Sequence, residues 1–184
     1  MLVAIDASRT LCVVTARIHE RRIATPEEGA LMSYTFVPLR LRDALVAGRW
    51  RYEGPYAMYD FDLPALLLTA VLQRLLFQHV FYSVLDERGA LVGLFTFTRT
   101  DGTVEVGLGM RPDLTGKGHG QEFFEAGLAF ARRRYAPRHF MLDVAAFNER
   151  ARKVYERAGF VPLRDFRRRT HAGWLDYVEM TREA

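Results

Sequence analysis

A loop with three alternate glycines separates a predicted strand from a predicted helix in the middle of the chain. The strand is Val104–Met110, the glycines are Gly116, Gly118 and Gly120, and the amphipathic segment 118–134 follows. Glycine lets a backbone turn tightly and approach a ligand without a Cβ in the way. The first N–H groups of a helix also have no intrahelical partner. A strand–loop–helix unit of this kind suits a pyrophosphate bound at the helix N-terminus.

Two better-defined phosphate-binding loops do not match this spacing. A P-loop has four residues between its first glycine and a Gly-Lys-Ser/Thr sequence, which this loop lacks. A Rossmann turn follows the first strand of a parallel unit, whereas this loop lies mid-chain, after a predicted hairpin that turns at Asp86–Gly89. The glycines alone therefore leave the ligand open.

The rest of the sequence predicts one α+β domain with a mixed sheet. Strands are expected at 34–40, 80–85, 90–98, 104–110, 139–145, 160–169 and 174–181. Helices are expected at 41–50, 63–78, 118–134 and 149–158, with an aromatic loop from Arg51 to Phe61.

Residues 1–31 differ from the domain expected at 32–184. Four acidic residues balance four arginines in this segment, so the net charge of +4 comes wholly from the remainder. Met32 is followed at once by the strand-like Tyr34–Val37. Two interpretations stay open: an extension upstream of a native start at Met32, or an additional strand at Leu11–Ile18.

The composition excludes several classes of protein. A chain of 184 residues, 49% hydrophobic and 26% charged, is long enough to bury a core and is not typical of disorder. The single cysteine, Cys12, excludes an internal disulfide framework, and the five histidines show no metal-ligand spacing. The longest apolar run, Leu63–Phe77, is too short to cross a bilayer, and no signal peptide is evident. We therefore expect a cytoplasmic protein with no metal and no membrane partner.

A second strand-to-helix transition follows the first. Asn148 is expected to cap the helix, and Tyr155 comes seven residues later, two turns along the same face. These two polar groups then line one side of a cleft. Tyr155 also belongs to an apolar stripe with Val154 and Ala158, so the spacing alone favours a core tyrosine.

Together the two segments resemble the GNAT superfamily of acyl-CoA-dependent N-acetyltransferases. Residues 115–120, Thr-Gly-Lys-Gly-His-Gly, are similar to the family's Gln/Arg-x-x-Gly-x-Gly/Ala loop, and residues 148–160 are similar to its second motif. The resemblance covers about residues 33–182 and implies a GNAT-like fold with a mixed, mostly antiparallel sheet flanked by helices. Thr115 departs from the pattern because it removes a long side chain from the loop.

The resemblance implies acetyl-CoA as co-substrate and assigns residues to it. The pantetheine arm is expected along Leu108, Gly109 and Met110, with Asn148 hydrogen-bonded to it. The pyrophosphate is expected on Gly116, Lys117, Gly118, His119, Gly120 and Gln121.

The resemblance also implies direct transfer of the acetyl group to an amine. Tyr155 is expected to give a proton to the departing thiolate. The general base is left open between Glu105, Asp143 and a chain of water molecules, and a strand N–H near Leu108 to Met110 is expected to meet the developing negative charge.

The acceptor pocket implied by the family lies at the aromatic loop and the final hairpin. Trp50, Tyr52, Tyr56, Tyr59 and Asp60 are candidates on one side. Trp174 and Asp176 are candidates opposite them. Aromatic and acidic groups suit a cationic amine, although the same aromatic residues also serve as packing.

The expected acceptor is a small-molecule or peptide amine, and a homodimer is compatible with the sequence. A non-catalytic acyl-CoA sensor is the alternative function. A nucleic-acid-binding module is less well supported, because its candidate residues also describe a solvated surface. These residues are Arg132, Arg133, Arg134, Arg150, Arg152, Lys153, Arg167, Arg168 and Arg169.

Overall fold

A computed structural model describes residues 33–75, 80–170 and 173–184. Its strands are β1 Thr35–Pro38, β2 Phe81–Leu85, β3 Leu91–Thr100, β4 Thr103–Met110, β5 His139–Ala145, β6 Val161–Thr170 and β7 Gly173–Glu183. Its α-helices are α1 Leu41–Ala47, α2 Leu63–Leu75, α3 Gly120–Tyr135 and α4 Glu149–Arg157. Short 3-10 helices lie at Gly54–Tyr59 and Pro112–Leu114. The two interpretations of residues 1–31 fall outside the described residues.

The strands form one sheet in the order β1-β2-β3-β4-β5-β7-β6. Only the central β4–β5 pair is parallel, and the other neighbours are antiparallel. The predicted α+β class with a mixed, mostly antiparallel sheet is therefore confirmed. None of the described helices is both long and apolar enough to cross a membrane.

The parallel pair separates soon after it begins. Thr103–Glu105 of β4 pairs with His139–Met141 of β5, and the ladder stops there. Both strands continue, β4 to Met110 along β3 and β5 to Ala145 along β7. A wedge-shaped gap, here called the β4–β5 wedge, therefore opens in the middle of the sheet.

The sheet is covered on both faces. Helices α3 and α4 pack on one face, where Leu108 and Leu142 belong to the same buried cluster as Phe124 of α3. Helices α1 and α2 cover the other face, where Ala145 and Tyr177 are buried with residues of both helices. Successive residues of a strand point to opposite faces, so the wedge connects the two sides of the molecule.

Two helix boundaries differ from the predicted ones. Helix α1 ends at Ala47 rather than at residue 50, with Gly48 as its C-cap. Gly48 packs closely on α2, since a Cβ there would lie 2.5 Å from Leu63 Cδ1. Helix α3 begins at Gly120 because Gly118 has a φ of +88°, a left-handed conformation that interrupts the helix.

Candidate functional site

The walls of the β4–β5 wedge are backbone edges. Arg111 donates its N–H to Val92 O of β3 at 2.8 Å. Alternation along an antiparallel strand then directs the N–H and C=O groups of Leu108 and Met110 away from β3, into the wedge. On the other wall, Ala146 donates to Asp176 O of β7 at 2.8 Å, so the backbone groups of Ala145 face β4. The Ala145 carbonyl already accepts from the Asn148 N–H at 2.8 Å, so an extended ligand in the wedge meets its backbone partners mainly on the β4 wall, at Leu108 and Met110.

The aromatic loop lies against the β4 wall of the wedge. The Tyr52 hydroxyl donates a 2.8 Å hydrogen bond to the Met110 carbonyl, one of the groups that alternation directs into the wedge. The Tyr52 N–H donates in turn to Asp60 Oδ1 at 2.8 Å, which closes the loop on itself. Gly54, at a φ of +59°, makes the turn between them. Predicted acceptor residues Tyr52 and Asp60 therefore hold the loop at the site.

The same loop reaches the β5 wall through Tyr59. Its hydroxyl accepts a 3.3 Å hydrogen bond from Asn148 Nδ2 and lies close to the backbone of Ala145. Asn148 also caps α4 by accepting from the Ala151 N–H at 3.3 Å, as the sequence predicts. Asn148 is 1% exposed, so its amide is fixed in place by these partners.

The environment of Tyr155 is compatible with both interpretations that the sequence left open. Its ring is fully buried and packs 4.7 Å from the Phe124 ring, as a core tyrosine does. Its hydroxyl has no hydrogen-bond partner among the described residues. An unpartnered buried hydroxyl costs free energy, which a ligand atom at this position recovers. Burial raises the pKa of Tyr155 above its ordinary value, so the phenol keeps its proton.

The glycine loop presents an open helix N-terminus. Gly116 and Gly118 have left-handed φ values of +75° and +88°. His119 is the N-cap of α3, and no side chain caps the helix there. Gly116, Lys117 and Gly118 are exposed, and Gln121 is half-buried and donates to Glu125 Oε1 at 2.6 Å. The free N–H groups and positive dipole end of α3 are thus available to an anion.

Arg150 is a site residue that sequence reasoning assigned to the solvated surface. Its Nη1 lies 3.7 Å from the position of a Cβ on Gly116. Its guanidinium stacks over the Tyr56 ring with Cζ 4.1 Å from the centroid. Arg150 follows the N-cap by two residues, and helical side chains point back toward the N-terminus. The two-residue spacing from Asn148 to Arg150 is the sequence signal that could have identified a cation beside the glycine loop.

The two candidate bases lie on the strands that border the wedge. Asp143 of β5 is 6% exposed and ion-paired with Arg168 of β6. Arg168 is itself stacked against the Phe166 and Tyr177 rings, at 5.0 Å and 4.9 Å. Glu105 is the last residue of β4 to pair with β5, opposite Met141, and is half-buried. Asp143 is thus already neutralised by a neighbour.

The predicted acceptor residues do not all meet. Trp50 is buried against Phe61, 6.0 Å between ring centroids, and serves the core. Leu175 and Tyr177 of β7 pack toward α1 and α2, so Trp174 and Asp176 point to the opposite face. Trp174 is 60% exposed there. The structure therefore separates this pair from the aromatic loop that they were expected to oppose.

Two aromatic residues at the site were not predicted. Phe147 lies 5.8 Å from the Tyr56 ring and 6.1 Å from the Tyr59 ring, beside the capping Asn148. Tyr177 is buried, and its hydroxyl has no partner among the described residues. The alternation of Leu175 and Tyr177 along the last strand was the signal that could have found Tyr177. Within the described ranges, no cluster of histidine, cysteine and carboxylate side chains is arranged to hold a metal.

Residues 45–160 match the model of the acetyltransferase (GNAT) family. Similar solved structures include a GNAT-family acetyltransferase from Bacillus anthracis, at 16% identity and a TM-score of 0.67, covering 82% of this chain and 94% of that one. A ribosomal-protein-S5-alanine acetyltransferase from Vibrio fischeri matches at 15% identity and a TM-score of 0.64, covering 87% and 97%. A spermidine N-acetyltransferase from Vibrio cholerae, in complex with CoA and spermine, matches at 19% and 0.64, covering 82% and 95%. None of the curated proteins searched matches the chain.

Proposed function

The chain belongs to the GNAT acetyltransferase family, and we propose that it transfers an acetyl group from acetyl-CoA directly to a primary amine. The resemblance carried by residues 115–120 and 148–160 is confirmed at the level of family and fold. The observation that carries the proposal is the unpartnered, fully buried hydroxyl of Tyr155, which belongs to the same buried cluster as Leu108 of β4 and Leu142 of β5. The proposed acceptor is either a small amine or a protein N-terminus.

The residues of the site fit acetyl-CoA. The extended pantetheine arm has amide groups that match the backbone edges of Leu108 and Met110. The pyrophosphate has the α3 N-terminus and the loop from Gly116 to Gln121 available to it. Arg150 supplies at Gly116 the long cationic side chain that Thr115 does not provide. Lys117 adds positive charge on the solvent side, and His119 lies beside it in the same loop.

Each side chain has a distinct task in the transfer. The amine nitrogen attacks the thioester carbonyl, and a wedge N–H of Leu108 or Met110 stabilises the charge that develops on its oxygen. Tyr155, which burial keeps in its protonated form, gives its proton to the sulfur as the C–S bond breaks. The amine proton leaves through Glu105 or water. We assign Asp143 to positioning, because Arg168 already neutralises it.

The acceptor is expected on the face covered by α1 and α2. Tyr56, Phe147 and the ring of Tyr59 form an aromatic surface on the β5 side of the wedge. The buried carboxylates on this face, Asp143 and Glu179, are both paired with arginines. A surface of this kind favours an amine that arrives neutral or loses its proton on entry, rather than one held by a free carboxylate.

Thermal unfolding with acetyl-CoA, CoA or ATP tests the cofactor site first. A ligand at a hundred times its Kd adds about 2.7 kcal/mol, which moves Tm by several degrees. Stabilisation by acetyl-CoA but not ATP supports the proposal. CoA release is then followed with spermidine and with a peptide that begins with alanine. No shift at millimolar acetyl-CoA overturns the proposal, and a shift without CoA release from any amine favours an acyl-CoA sensor.

A further inference from the structure

We infer that Tyr59 is a second hydroxyl of the reaction centre, donating a hydrogen bond to the thioester carbonyl oxygen during acetyl transfer. The inference rests on the proposed function and adds a catalytic residue from outside the two motifs that carry the family resemblance. It assigns to Tyr59 a task distinct from that of Tyr155, which acts on the sulfur.

The hydrogen bonds of Tyr59 leave its proton unused. A phenol donates one hydrogen bond and accepts others through its oxygen. The Tyr59 oxygen accepts from Asn148 Nδ2. Among the residues that the structure describes, no acceptor receives the Tyr59 proton. The side chain is 3% exposed, so bulk water does not readily take that place.

The orientation of the Asn148 amide determines which group is the donor in its hydrogen bond with Tyr59. Its Oδ1 is committed to the Ala151 N–H at the start of α4. Its Nδ2 must therefore point toward Tyr59, where it can only donate. Asn148 and Tyr59 consequently do not exchange roles, and the phenol has to send its own hydrogen elsewhere.

The position of Tyr59 directs that hydrogen toward the wedge. The backbone of Ala145 faces β4 across the gap, and the Tyr59 hydroxyl lies close to that backbone. The wedge N–H groups of Leu108 and Met110 lie on the opposite wall. A carbonyl oxygen between the walls receives one donor from each side, which is the arrangement that stabilises a developing negative charge. Tyr52 takes no part, because its hydroxyl already donates a hydrogen bond to the Met110 carbonyl.

The hydrogen bond from Asn148 also strengthens the Tyr59 hydroxyl as a donor. A hydroxyl that accepts hydrogen bonds becomes a stronger donor, because chains of hydrogen bonds polarise one another. Burial meanwhile holds the pKa of Tyr59 above its ordinary value, so the proton stays on the oxygen throughout. In the step itself, the N–C bond forms and the C–S bond breaks. Tyr155 supplies the sulfur proton and the amine loses one to Glu105 or water.

Tyr59→Phe tests the inference, since it removes only the hydroxyl. Loss of one such donor is expected to lower kcat by about 10²-fold or more, with KM for acetyl-CoA within about twofold of wild type. The assay uses whichever of spermidine and the alanine peptide releases CoA fastest with the wild type. Slow hydrolysis of acetyl-CoA by water, which passes through the same charged oxygen, gives a second readout without any amine.

Tyr34→Phe is the matched control, because Tyr34 packs against Phe123 in the cluster on the opposite face of the sheet from Tyr59. An unchanged kcat in Tyr59→Phe overturns the inference. A raised KM for acetyl-CoA with kcat intact overturns it as well, since that result marks Tyr59 as a support for Asn148. The acetyl-CoA thermal shift of the wild type separates the two proposals: its absence removes the proposed function, and its persistence in an unimpaired Tyr59→Phe removes only this inference.

Discussion

The Tyr52 hydroxyl donates a hydrogen bond to the Met110 carbonyl, joining the aromatic loop to the end of a strand 58 residues away. Both groups are buried. Tyr52→Phe leaves the Met110 carbonyl without this partner, and we expect the free energy of unfolding to fall by about 1–2 kcal/mol. Urea unfolding measures this, with Tyr34→Phe as a control expected to change little. Equal midpoints for both variants would contradict the importance of this contact.

Tyr155→Phe is expected to slow acetyl transfer and to spare acetyl-CoA affinity. The change removes a buried hydroxyl that has no partner among the described residues, so the fold keeps its packing against Phe124. A lost general acid costs about 10²-fold or more in kcat. Steady-state kinetics and the acetyl-CoA thermal shift measure the two effects separately. A kcat equal to that of the wild type would remove Tyr155 from the chemistry.

Arg150→Ala is expected to weaken acetyl-CoA binding about tenfold, because it removes the cation beside Gly116. Isothermal titration with acetyl-CoA measures this, and the loss should shrink as salt is raised. Arg157→Ala is the matched control, since Arg157 lies exposed at the other end of α4. If both variants bind equally well, the cation at the glycine loop has no part in cofactor binding.

The Asp143–Arg168 pair is expected to be coupled. Replacing either partner alone, as Asp143→Asn or Arg168→Met, leaves a poorly solvated group unpaired and should cost roughly 1–3 kcal/mol. The double variant should lose less than the sum of the two. The exposed Arg167–Asp176 pair, on the same hairpin, provides the comparison and should show no measurable coupling. Additive losses in the Asp143–Arg168 cycle would show that the pair contributes nothing.

Stability is expected to fall steeply above about pH 10. Burial raises the pKa of several tyrosines, Tyr34 to about 12 and others further: Tyr52, Tyr59, Tyr135 and Tyr155. Above the ordinary tyrosine pKa, the unfolded chain releases phenol protons that the folded chain retains. The unfolded state is therefore stabilised relative to the folded state as pH rises. The stabilising contribution is complete below pH 10 and is lost on the way up.

Urea unfolding between about pH 8 and pH 11 checks this expectation. Each fully buried phenol steepens the decline by up to about 1.4 kcal/mol per pH unit. Tyr155→Phe, with one such phenol fewer, should show a shallower decline than the wild type. A free energy of unfolding that stays flat up to pH 11 would contradict the prediction.

The local features of the site could be predicted from sequence because they depend on neighbouring residues. The glycine loop, the Asn148 cap and the spacing of Asn148 and Tyr155 all follow from helix and turn rules. The partners of Tyr52 and Tyr59 could not, because each contact joins distant segments. Their hydroxyls contact Met110 and Asn148 in the folded protein, where β4 and β5 have separated. The expected position of Trp174 differs from the observed one for a simpler reason. Side chains alternate along β7, so Trp174 points to the face opposite Leu175 and Tyr177.

The separation of β4 and β5 gives this protein two strand edges in its interior. Open edges usually occur at the rim of a sheet, where they invite pairing with other chains and aggregation. Here Tyr52 shields part of one edge and Tyr59 part of the other. The chain thus keeps unpaired backbone hydrogen-bonding groups at its centre, where a narrow, extended ligand can reach them and the strand of another unfolded chain cannot.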